Sequence, residues 1–133
     1  MEMEYDFLHH RKKEPFENMK LGNKKMEIRL FDEKRQKIRI GDIIKVISEE
    51  DEEDYLYVNV IGLSRFLNLN DLYEVFGDQI KNYEKKILSK VYPEEKVNYY
   101  GILVIHFETI EDYEDEEDEN EQENQKLLTG SNF

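Results

Sequence analysis

Gly22, Lys24, Glu27 and Arg29 stand in the order Gly-x-Lys-x-x-Glu-x-Arg, within a stretch of loop-to-strand character at residues 20–33. An arginine offers a planar fork of donors suited to a phosphate or a base edge, and a lysine offers a mobile point charge. A glutamate accepts from an exocyclic amino group such as that of cytosine. Gripping a nucleotide is one chemistry open to this set, with tyrosine faces for stacking. Hydrolysis is another, with Lys24 activated by desolvation and a carboxylate, Glu27, as general base. An ion-pair cluster closing the end of a barrel uses the same residue types and needs no ligand.

The element that must position these groups is a strand. Residues 25–31 alternate charged and apolar side chains, so period two sends Met26, Ile28 and Leu30 one way and Lys25, Glu27 and Arg29 the other. One face is expected to be buried and the ionisable face shown. Pro15 suits the first turn of a helix over 14–21, and Gly22 its C-terminal cap. A first strand is expected over 5–10, and others over 43–47 and 55–61, joined by the six-acid hairpin loop 49–54. Asn68 or Asn70 caps a short helix ending at Phe76 and Gly77. A second helix starts near Asp78, with Ile80, Tyr83, Ile87 and Val91 as its packing stripe and Pro93 as its stop. Residues 100–107 are apolar on both faces and read as a central strand. The order β-α-β-β-β-α-α-β predicts an α+β domain with a small curved sheet or barrel.

Composition bounds the rest. The 133 residues suit one domain, here 1–108, followed by an acidic and disordered tail, 109–133. The chain has no cysteine, which rules out disulfides, thiolate metal sites and cysteine nucleophiles. No apolar run is long enough to span a membrane and the acidic start is unlike a signal peptide, so a cytoplasmic protein is expected. The net charge of −13 is uneven: residues 111–133 hold ten acidic residues against one lysine, whereas residues 11–39 hold eleven lysines and arginines against five acids. That basic third permits a polyanion-binding face despite the low pI, and a solvated charged surface is the plainer alternative. The tail serves solubility or binds a basic protein partner.

Other chemistry-bearing residues are weaker candidates. Adjacent His9 and His10 face opposite sides of a strand and cannot readily share a metal. His106 reads as a hydrogen-bonded core histidine. The acidic run 49–54 lacks the glycine and ligand spacing of a calcium loop. No metal and no cofactor are expected. Tyr99 and Tyr100 suit either a core or a stacking platform.

Gly22-x-Lys24-x-x-Glu27-x-Arg29, followed by Asp32, Arg35, Ile38 and Gly41-Asp42, resembles the ASCH (activating-signal-cointegrator homology) domain. Glu14-Pro15-Phe16 upstream, with Tyr92, Tyr100-Gly101 and the last apolar strand downstream, fits the same pattern over roughly residues 4–108. The resemblance implies a PUA-like β-barrel with a cleft beside the motif, and binding of RNA or a modified nucleoside through Lys24, Glu27, Arg29 and Tyr100. In some bacterial members it implies hydrolysis of 4-N-acetylcytidine. In that amidohydrolase branch the catalytic lysine corresponds to Lys24 and the arginine to Arg29. The branch has threonine where this chain has Glu27, so the hydroxyl nucleophile is missing. Glu74 and Asp78 lie nearest to its downstream glutamate.

Overall fold

The computed structural model describes residues 2–111. Strand β1 (Phe7–Arg11) leads into helix α1 (Lys13–Lys20), then β2 (Met26–Leu30), β3 (Ile43–Ser48) and β4 (Tyr55–Phe66). Helices α2 (Leu69–Phe76), α3 (Asn82–Val91) and α4 (Glu94–Tyr100) precede the last strand, β5 (Ile102–Ile110). The expected α+β class holds, with a small sheet curled into a half-barrel and flanked by helices. Of the expected tail, 109–133, Thr109 and Ile110 belong to β5, and residues 112–133 lie outside the described residues.

The five strands form one sheet in the order β1-β3-β4-β5-β2. Only β1–β3 is parallel, and the other three pairings are antiparallel. β4 spans twelve residues, pairing with β3 through its first half and with β5 from Tyr57 onward. Between Val60 and Gly62 its register shifts by one residue. Such a bulge bends a strand and sharpens its twist, which helps to roll the sheet.

Each side of the curled sheet has its own core. Inside the curl, Ile44, Val46, Leu56, Val58, Val60, Leu103, Ile105 and Phe107 pack with Phe16 and Met19 of α1. Outside it, Ile102 and Val104 pack with Leu72, Ile80 and Val97, joined by Met26, Ile28, Leu30, Leu88 and Tyr92. β5 is therefore covered on both faces, as its unbroken apolar run predicts.

The helices follow local signals closely. In α1, Phe16 and Met19 are fully buried, three residues apart on one face. The chain leaves α1 through Gly22, whose φ of 81° no β-carbon tolerates well, with its N–H on the Met19 carbonyl. Asn68 caps α2 by accepting the Asp71 N–H at 2.9 Å.

Two expectations need correction. The stripe assigned to α3 faces solvent: Tyr83, Ile87 and Val91 are 48%, 52% and 58% exposed. Leu88 and Tyr92 pack inward instead, and Ile80 is buried ahead of the helix. Helix α4 lies beyond the expected elements, where Pro93 is expected only as a stop. Pro93 ends α3 and also serves as the N-cap position of α4, with Glu94 and Glu95 in its first turn, where acidic side chains favour a helix start.

Candidate functional site

β2 keeps the predicted alternation, but its charged face is not open to solvent. Glu27 pairs across the ladder with Ile105, and Arg29 with Leu103. Both partners belong to the inner core, so these ionisable side chains line the inside of the half-barrel. Glu27 is buried.

The curl brings β1 alongside this face. The two strands occupy opposite ends of the sheet order, yet Arg11 Nε lies 3.3 Å from Glu27 Oε1. Arg29 Nη2 lies 2.9 Å from Glu27 Oε2, and Lys24 Nζ 3.8 Å from Oε1. One buried carboxylate thus faces three cations, an excess of two positive charges. These are ion pairs without aligned hydrogen bonds: both Glu27 oxygens and Arg11 Nε are buried without a hydrogen-bond partner. Burying an ion pair is costly, and multiple opposite charges around the carboxylate offset that cost.

Lys24 is held by its backbone. Its N–H, and that of Asn23, both bond the Asn18 carbonyl in the last turns of α1. The turn at Gly22 thereby brings Lys24 beside Glu27 with its side chain partly exposed. On the free edge of β2, the Ile28 carbonyl accepts the Tyr92 hydroxyl at 3.1 Å and Arg29 Nη1 at 3.0 Å. Side chains satisfy this edge where no strand pairs with it.

Charge and burial set the protonation states. Burial depresses Arg29, but the Glu27 carboxylate and Tyr92 outweigh it and raise its pKa. Burial prevails at Arg11, whose pKa falls despite Glu27. His9 stands on the same inward face of β1, with Nε2 buried and unpartnered. Burial, then the charges of Arg29 and Arg35, push its pKa down to about 4, so the imidazole is neutral at pH 7.

A cavity of about 10 Å³ lies between this cluster and the inner core, bordered by His9, Arg11 and Glu27 on its polar side and by Val46, Ile105 and Phe107 on its apolar side. That is room for about one water molecule. No nucleoside fits within it. The accessible parts of the site are the cations at the rim, with the Lys24 side chain 23% and Arg11 21% exposed.

Of the residues singled out in the sequence, Lys24, Glu27 and Arg29 converge. Tyr100 does not join them; its hydroxyl reaches Glu33 at 3.5 Å, and its ring packs edge-on against Tyr99. Glu74 and Asp78 lie on the helical side, outside the cluster. His106 is half-buried, its Nε2 2.9 Å from Ser64 Oγ, as a hydrogen-bonded structural histidine should be. Sequence reasoning missed Arg11 and His9 as members of the site. Their signal was period two again: Phe7, His9 and Arg11 share one face of β1. Among the described residues no cluster of metal-binding side chains occurs, and no helix is long and apolar enough to cross a membrane.

A small curled sheet with α1 against its inner core, α2 to α4 on its other side and a cationic cluster beside that core defines a PUA-like α+β domain. The sequence pattern of the ASCH domain matches residues 10–111, and the chain belongs to that family. Among solved structures it is similar to hypothetical protein PH0355, with 33% identity over 78% of this chain and 98% of that one, at a TM-score of 0.65. It is also similar to protein PF0455 from Pyrococcus furiosus, determined by NMR, with 28% identity over 80% of this chain and 98% of that one, at a TM-score of 0.60. No curated protein matches.

Proposed function

We propose that this ASCH domain binds RNA at the cationic mouth of its half-barrel. The observation that carries the reading is the imbalance at Glu27, where Lys24, Arg11 and Arg29 converge on a single buried carboxylate, three cations against one anion. An excess of cations at a partly exposed rim attracts a phosphodiester even on a chain of negative net charge, because local field rather than total charge governs the encounter. Lys24 is the motif residue best placed to meet a phosphate, being partly exposed and held by the α1–β2 loop. Arg29 and Glu27 are its supports.

Titrating a fluorescent single-stranded RNA against wild type and Lys24→Ala tests this. Removing one phosphate contact lowers affinity several-fold and reduces the slope of log K against log salt by about 0.7. Unchanged affinity in the variant, or no binding by wild type at low salt, rejects the proposal.

Hydrolysis of an acylated nucleoside such as 4-N-acetylcytidine draws on the 3.8 Å approach of Lys24 to Glu27. It has less support, because both Glu27 oxygens face cations and the adjoining cavity has room for no more than about one water molecule. Chromatography for released cytidine is expected to show no turnover above a Glu27→Gln control.

A further inference from the structure

We infer that Arg65, set over the ring of Phe31, forms a phosphate subsite for the RNA backbone on the same inner face, one row beyond Glu27. The inference rests on the RNA-binding reading above and adds a residue outside the motif. The ladder registers place it. Leu63, Ile105 and Glu27 stand in one row across β4, β5 and β2, and Arg65, Leu103 and Arg29 stand in the next. Leu103 and Ile105 both belong to the inner core, so Arg65 emerges on the concave side with Glu27 and Arg29. Two strand spacings separate Arg65 from Arg29, roughly 10 Å.

The chemistry of Arg65 differs from that of Arg29, Arg11 and Arg35. Arg29 is engaged by Glu27 and the Ile28 carbonyl, Arg11 by Glu27, and Arg35 by Asp32. Arg65 is exposed and makes no ion pair among the described residues. Its contact is with Phe31, the guanidinium carbon sitting 3.9 Å from the ring centroid. That contact sets the guanidinium over the ring, and no hydrogen bond or ion pair of its N–H donors occurs among the described residues. A planar fork placed over an aromatic ring, with its donors turned to no protein partner among the described residues, is suited to bidentate recognition of a phosphate. Phe31 packs against the inner core and is therefore a firm base for it. Phe31 acts as a positioning residue.

A ten-nucleotide single-stranded RNA titrated over a range of salt against wild type, Arg65→Ala, Arg65→Lys and Phe31→Leu tests the assignment. Arg65→Ala is expected to weaken binding about tenfold and to lower the salt slope by about 0.7, the signature of one lost phosphate contact. Arg65→Lys retains the slope but loses several-fold in affinity, because the charge remains and the fork does not. Phe31→Leu likewise retains the slope while weakening binding, with a thermal melt confirming that it is folded. Wild-type binding with Arg65→Ala unchanged in affinity and slope overturns this subsite and leaves the Lys24 reading standing. No binding by wild type overturns both.

Discussion

At the scale of single residues, Glu27 and Lys24 separate although they belong to one motif. Glu27 is buried against three cations, so its removal strands Arg11 and Arg29 in a partly desolvated space without their counter-ion. Breaking a buried pair by deleting one partner costs about 3–5 kcal/mol. Glu27→Ala is expected to lose stability of that order in urea unfolding. Lys24→Ala, at a partly exposed and more distant contact, should lose less than about 1 kcal/mol. Equal losses for the two variants would contradict the assignment of Glu27 as the support and Lys24 as the ligand-facing group. The sequence made the trio visible because Lys24, Glu27 and Arg29 are separated by short, regular intervals. It did not reveal Arg11 or His9, because their approach to Glu27 depends on the rolling of the whole sheet.

At the scale of elements, the join between α4 and β5 depends on Gly101. Its φ is +81° with ψ near 180°, a conformation essentially restricted to glycine, and an added β-carbon would come 3.1 Å from the Phe66 carbonyl oxygen. Gly101→Ala is expected to cost about 1–3 kcal/mol, read as a lowered urea midpoint with unchanged slope. Element identity was largely legible. Strand alternation in β2 and β4, the capping residue of α2 and the doubly apolar β5 all follow from local pattern. What alternation cannot tell is which face is covered, so the charged side of β2 was expected outside and lies inside. The α3 stripe failed for a related reason. Tyr83, Ile87 and Val91 have helical spacing, but so do Leu88 and Tyr92, and only tertiary packing chose between the two faces.

At the scale of the whole molecule, His9 couples stability to pH. The folded chain keeps its imidazole neutral down to about pH 4, whereas an unfolded chain protonates it near 6.5. Between those values the unfolded state takes up the proton first, so stability is complete above pH 6.5 and falls as pH drops toward 4. The full window corresponds to at most about 3 kcal/mol. Urea unfolding of wild type and His9→Gln at pH 7 and pH 4.5 should show a steeper acid loss in wild type. Equal losses would mean that His9 is not the group responsible.

The two end strands of the sheet, β1 and β2, share no backbone ladder. β1 and β2 are bridged by Arg11 and Glu27, and the Ile28 carbonyl on that side is already taken by Tyr92 and Arg29. Parting the two edges therefore ruptures a charge contact and no rung of backbone ladder. The molecule is built as a clasp rather than a ring, fastened by a buried charge where a closed barrel would carry hydrogen bonds.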